Sequence, residues 1–184
     1  MVVAAVGATV TACAEQGPQV RDAEDAVTTA GGAITQWPRA GRPARATFGG
    51  TTDTGEQLDS RDLGGRVAVL NFWYAGCPPC RAEASDLQAL WQRNEPRGVR
   101  FVGVNVRDDL GQAKAFARQF QITYPSIMDR DGAVQLALIR TVSLKAVPTT
   151  LLLDRQGQPA ARILGKLPSR GTLQTLIDDV LAET

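Results

Sequence analysis

The clearest signal along the chain is a continuous apolar run, "RVAVLNFWY" at residues 66 to 74, of strand length and without polar alternation. Such a run predicts a strand covered on both faces, the centre of a sheet. After it, Pro79 to Gln92 carries Ala82, Leu87, Leu90 and Trp91 at helical spacing with charged residues between them, and Pro96 and Gly98 bring that helix to an end. The pattern then repeats, with "VRFVGVNV" at 99 to 106 as a second buried strand and "LGQAKAFARQF" at 110 to 120 as a second amphipathic helix. Strand, helix, strand, helix predicts a parallel βαβ arrangement. Upstream, residues 46 to 63 predict a β-hairpin turning at Asp53-Thr54-Gly55. Downstream, "SIMD" predicts an extra strand and residues 131 to 139 an extra helix, inserted before an antiparallel hairpin with strands at 149 to 153 and 160 to 164. A last amphipathic helix puts Leu173, Leu176, Ile177, Val180 and Leu181 on one side.

Residues 1 to 45 follow a different pattern. The opening "MVVAAVGATVTACA" is uncharged, with the first cation at Arg21, and has the character of the apolar part of a signal segment. At its end Val10-Thr11-Ala12-Cys13 resembles the lipobox of bacterial lipoproteins, whose cysteine is lipidated and becomes N-terminal after cleavage. Cys13 is the expected lipid attachment point; an ordinary buried cysteine in a short apolar element is the plainer alternative. Residues 14 to 45, with Pro18, Gly31-Gly32, Pro38, Pro43 and scattered charges, show no sustained hydrophobic period and are expected to form a flexible tether. The folded domain is then expected at 46–184. No window approaches the ~18 to 20 apolar residues of a membrane-spanning helix.

Charge and composition narrow the chemistry. Twenty basic residues stand against nineteen acidic ones, without a basic run, so nucleic acid is not an expected partner. The chain has no histidine, which excludes Ser-His-Asp and Cys-His enzymes and removes the commonest metal ligand. Its three cysteines, Cys13, Cys77 and Cys80, are one thiolate short of a closed four-ligand zinc site, so a metal clamp would need a carboxylate or a second chain. No metal is expected.

Cys77 and Cys80 flank Pro78-Pro79 in "NFWYAGCPPCRAE", at the junction of the central strand and the first helix. At that place the first sulfur meets the unpaired N–H groups and positive dipole end of the helix, which favour the thiolate, the form that attacks a disulfide. Cys77 is therefore the expected nucleophile, ionised and open to attack, and Cys80, one turn further in, the resolving cysteine. The two prolines stiffen the link and remove two backbone donors. A permanent staple is the alternative, although so small a ring restricts the unfolded chain far less than a long-range bridge does.

The run "VLNFWYAGCPPCRAE", the "AVPTT" at 146 to 150 and the element order resemble the thioredoxin superfamily, most closely the TlpA/ResA-like, membrane-tethered thiol:disulfide oxidoreductases. The resemblance implies a thioredoxin-like three-layer α/β/α fold with an N-terminal β-hairpin and a central strand-helix insertion. It matches Pro148 to the family's cis-proline, with Val147 offering backbone groups to an extended substrate beside the cysteines. It gives Glu83 the part of proton acceptor for Cys80, against the alternative of a solvated first-turn acid. Thioredoxins carry an aspartate where Asn71 stands here, and most relatives carry a tryptophan where Gly76 stands, so the aromatic cover beside Cys77 is missing. Trp73 and Tyr74 stand close by in sequence, and Trp73, together with Pro78 and Pro79, is a candidate to line the substrate site, with a place in the core the favoured alternative for Trp73.

The activity implied is disulfide exchange with protein substrates outside the bacterial cytoplasm, by a lipid-anchored or secreted monomer needing no cofactor beyond its own Cys77–Cys80 disulfide. The resemblance leans toward a reductant of the haem-binding cysteines of apocytochrome c, fed by a membrane electron-donor protein. Oxidation of secreted proteins is the alternative within the fold. A soft-metal chaperone is the alternative from another class, though the related copper proteins use a histidine and a wider cysteine spacing. A peroxidase of this fold would use a lone attacking cysteine in a threonine-and-proline setting.

Overall fold

The computed structural model describes residues 27–28, 34–45, 47–143 and 145–183. Cys13 and the rest of the lipobox segment lie outside the described residues.

The apolar run forms β5 (Ala68–Trp73), in which every residue is buried. It is buried because it has a strand on each side: β6 (Arg100–Asn105) in parallel and β8 (Thr149–Leu153) antiparallel. The sheet extends through β7 (Ser126–Met128), parallel to β6, on one side. On the other it continues through β9 (Pro159–Leu164), β2 (Ile34–Gln36) and β1 (Val27–Thr28), each antiparallel to its neighbour. The resulting order is β1-β2-β9-β8-β5-β6-β7, and a separate antiparallel pair, β3 (Gly49–Thr51) with β4 (Gln57–Asp59), forms the hairpin.

Side chains alternate along β5 between two cores. Val69 faces Leu87 and Trp91 of α1 (Pro78–Asn94) and Leu173 and Ile177 of α4 (Arg170–Ala182). Leu70 and Phe72 face Phe48 and Leu63 of the hairpin region and Val134 of α3 (Ala133–Ala137). A third cluster joins Trp73 and the cysteines to Phe116 of α2 (Leu110–Phe120). Helices on both sides of a mixed sheet make the three-layer arrangement, with the hairpin and the β7–α3 insertion present as expected.

The expected tether is corrected for residues 34–45. Ile34–Gln36 pairs with β9, Trp37 is 6% exposed, and Arg42 donates to Glu183 at 2.7 Å and to Asp154 at 2.8 Å. A three-residue strand carries no measurable period, and its partner lies far along the chain, so local composition could not reveal it. The extra helix is also shorter than expected. Asp129 accepts from Val134 N and Gln135 N, and Gly132 at φ 75° turns the chain into the first turn, so the helix begins at Ala133. Among the described residues no helix is long and apolar enough to cross a membrane.

Candidate active site

The site sits where β5 ends and α1 begins. Cys77 is the N-cap of α1 in extended conformation, with Pro78 and Pro79 filling the first turn, where a missing N–H costs nothing. Because neither proline has a donor, the first amide the helix offers is that of Cys80, which donates to Cys77 Sγ at 3.2 Å. The two cysteines are joined in a disulfide with Cα atoms 5.3 Å apart. Val147 O lies 3.9 Å from Cys77 Sγ, and the Val147–Pro148 peptide bond is cis.

The expectation of an open sulfur needs correcting for this closed form: Cys77 is 1% exposed and Cys80 2%. Cys77 remains the outer of the two, since its neighbours Gly76 and Pro78 are exposed while those of Cys80 are half-buried. Part of the cover is aromatic. A Cβ built on Gly76 would meet the Tyr74 ring at 3.6 Å, so Tyr74 lies where the ring absent from position 76 is missed.

Glu83 is no solvated acid. It is fully buried, on the same inward face of α1 as Cys80, Ala84 and Leu87, while Ala82, expected on that face, points outward. One residue of rotation is about 100° on a helix, enough to exchange the two. Leu167 N donates to one carboxylate oxygen at 2.8 Å and Asn71 Nδ2 to the other at 3.0 Å. Burial pushes the Glu83 carboxyl up from its ordinary 4.5 to about 7, against the pull of those two hydrogen bonds and of the Lys166 charge. Asn71 therefore serves the glutamate directly, and it also donates to Thr150 Oγ1 at 3.2 Å. Asn71, the donor to the Glu83 carboxylate, also lines one small cavity of about 10 Å³ together with Cys80.

Of the two readings of Trp73 the core one holds: it is 5% exposed and packs on Phe116 with ring centroids 4.3 Å apart, in the cluster that contains the disulfide. The loop in front is held by residues that had no local sequence signal. Asp108 accepts from Ala75 N at 2.6 Å and from Asn105 Nδ2 at 2.7 Å. Arg81 donates to Ala75 O at 3.3 Å, and the Arg107 guanidinium lies 4.1 Å from the Tyr74 ring centroid. Among the described residues no three cysteine, aspartate or glutamate side chains converge where a metal ion could be held.

Fold and site together define a thioredoxin-fold protein with a disulfide closed across a two-residue gap at the tip of its first long helix. The chain belongs to the AhpC/TSA family, which matches residues 40–160, and its relatives place it among the TlpA/ResA-like members. It is 27% identical over 112 residues to the thiol-disulfide oxidoreductase ResA of Bacillus cereus, covering 61% of this chain and 62% of that protein, less than two thirds of its length. A DsbF homologue from Corynebacterium diphtheriae superposes with TM-score 0.73 at 31% identity, covering 83% of this chain and 96% of the other. A secreted thiol-disulfide isomerase from Corynebacterium glutamicum superposes with TM-score 0.74 at 31% identity, covering 80% and 93%.

Proposed function

We propose that the chain is a thiol–disulfide oxidoreductase acting on cysteines of other polypeptides outside the cytoplasm. The observation that carries this reading is the disulfide between the N-cap cysteine and the cysteine one turn on, followed three residues later on the same buried face of α1 by a carboxyl whose pKa is raised to about 7. In the reduced form the Cys77 thiolate, favoured by the Cys80 amide and the helix dipole, attacks one sulfur of a substrate disulfide. The substrate's other sulfur leaves as a thiolate and a mixed disulfide forms. Glu83 then takes the Cys80 proton, Cys80 attacks Cys77 Sγ, and the second substrate thiolate leaves as the Cys77–Cys80 bond closes. Two electrons have passed to the substrate, and the same steps reversed oxidise a dithiol.

The name of the Bacillus cereus relative, a thiol-disulfide oxidoreductase, supports the chemistry, and the secreted Corynebacterium neighbour supports the location. A segment resembling a lipobox at Cys13 supports attachment to the membrane by lipid. Within this reading the chain acts as a reductant, with the haem-binding cysteines of apocytochrome c as substrates and a membrane protein as electron donor. A standard potential far below the glutathione range fits that direction, and a value near that of DsbA would reverse it in favour of oxidising secreted proteins. Replacing Cys80 by serine leaves the mixed disulfide no internal exit, so Cys80→Ser should accumulate covalent complexes through Cys77 on non-reducing gels. Absence of such complexes from intact cell envelopes would overturn exchange with proteins.

A further inference from the structure

The whole chain is nearly neutral, at +1, yet the surface round the disulfide is not. Four separate segments frame Cys77: the residues before it and the first turns of α1, the loop after β6, the segment leading to Pro148, and the turn after β9. Each brings one cation. Arg81 spans Ala75 O and Gln119, Arg107 covers the Tyr74 ring, Lys145 stands two residues before Val147, and Lys166 precedes the Leu167 amide that holds Glu83. Arg107, Lys145 and Lys166 are exposed. None of the ion pairs among the described residues engages any of the four. The acids of the same segments offset them only in part: Glu83 and Asp108 are buried, Asp86 further along α1 is ion-paired with Arg170, and the exposed Asp109 accepts from Gln112 N as the cap of α2.

We propose that these cations form a recognition rim selecting polypeptide substrates with acidic side chains flanking the reacting cysteine. The inference rests on the exchange reading above and names the substrate class of that same site. Cations brought together from distant parts of the chain and left unpaired at the mouth of a redox site raise the local concentration of anionic partners and set their encounter rate. A partner must also present a sulfur to Cys77 beneath Val147 O and the Tyr74 loop, which a polypeptide cysteine does and a nucleic acid does not.

The test uses the full chain, pre-reduced, and three otherwise identical disulfide-bonded peptides whose cysteines are flanked by aspartate, serine or lysine. Each exchange rate is normalised to that peptide's rate with dithiothreitol, which removes the effect of the flanks on the sulfur itself. In low salt the aspartate peptide should react roughly tenfold faster than the lysine peptide, as expected from two rim contacts of ordinary exposed-pair strength. That ratio should fall toward unity in 0.5 M salt, where screening acts within about 4 Å. Lys145→Glu should cut it several-fold, whatever that change does to the serine peptide. Equal normalised rates, or a preference untouched by both salt and Lys145→Glu, would overturn the rim while leaving exchange in place. Failure of all three peptides to exchange would remove the exchange reading and the rim with it.

Discussion

Glu83 offers the sharpest test, because its state is a statement about stability as well as chemistry. An acid whose native pKa lies above its unfolded value keeps a proton in the folded protein that the unfolded chain has released. Here the interval runs from 4.5 to about 7. Across it the native state binds more protons than the unfolded state, so stability falls as pH rises; the penalty is absent below 4.5 and complete above about 7. A displacement of this size corresponds to roughly 3 kcal/mol. In Glu83→Gln that slope disappears. The glutamine keeps one oxygen for Leu167 N or Asn71 Nδ2 and leaves the other donor unmatched, a fixed cost of about 1–3 kcal/mol that does not vary with pH. Urea unfolding of the oxidised proteins at intervals from pH 4.5 to 7.5 should show the wild-type minus variant difference shrinking by about 3 kcal/mol toward higher pH, since all other titrating groups cancel. A difference constant within about 0.5 kcal/mol would refute the raised carboxyl, and with it the poised proton acceptor for Cys80.

The remaining expectations concern the frame of the site. Arg42→Ala removes the partner of the buried Asp154 and of Glu183 at the far end of α4, and should cost about 3 kcal/mol, read as a fall in the urea midpoint at unchanged slope. Phe116→Ala opens a cavity behind Trp73 and should cost about 3 kcal/mol, with tryptophan fluorescence shifting to the red as water reaches the indole. Asn71→Asp sets a second carboxyl against Glu83 in place of a donor at 3.0 Å, so the stability lost between pH 4.5 and 8 should grow beyond that of the wild type in the same unfolding series.

Features carried by neighbours along the chain are legible in the amino-acid order alone. The unbroken apolar run of β5, the helical spacing of α1, α2 and α4 and the hairpin turn at Asp53-Thr54-Gly55 each state their conformation within a dozen residues. So does the placement of Cys77 and Cys80 at a strand-to-helix junction, since prolines in the first turn and a capping position are local matters. What depends on the chain meeting itself is the environment of those groups. Glu83 looks like any exposed acid until the rotation of α1 turns it inward and Leu167, from beyond β9, supplies an amide. Residues 34–45 look like linker until β9 offers an open edge and Asp154 and Glu183 receive Arg42. Tyr74 covers the ground left bare by Gly76, and Trp73 packs in the cluster that contains the disulfide, because Arg107 and Phe116 approach from the next loop and helix. Backbone conformation answers to short-range sterics and to the period of apolar positions, whereas solvation and charge answer to whatever the rest of the molecule brings within a few ångströms.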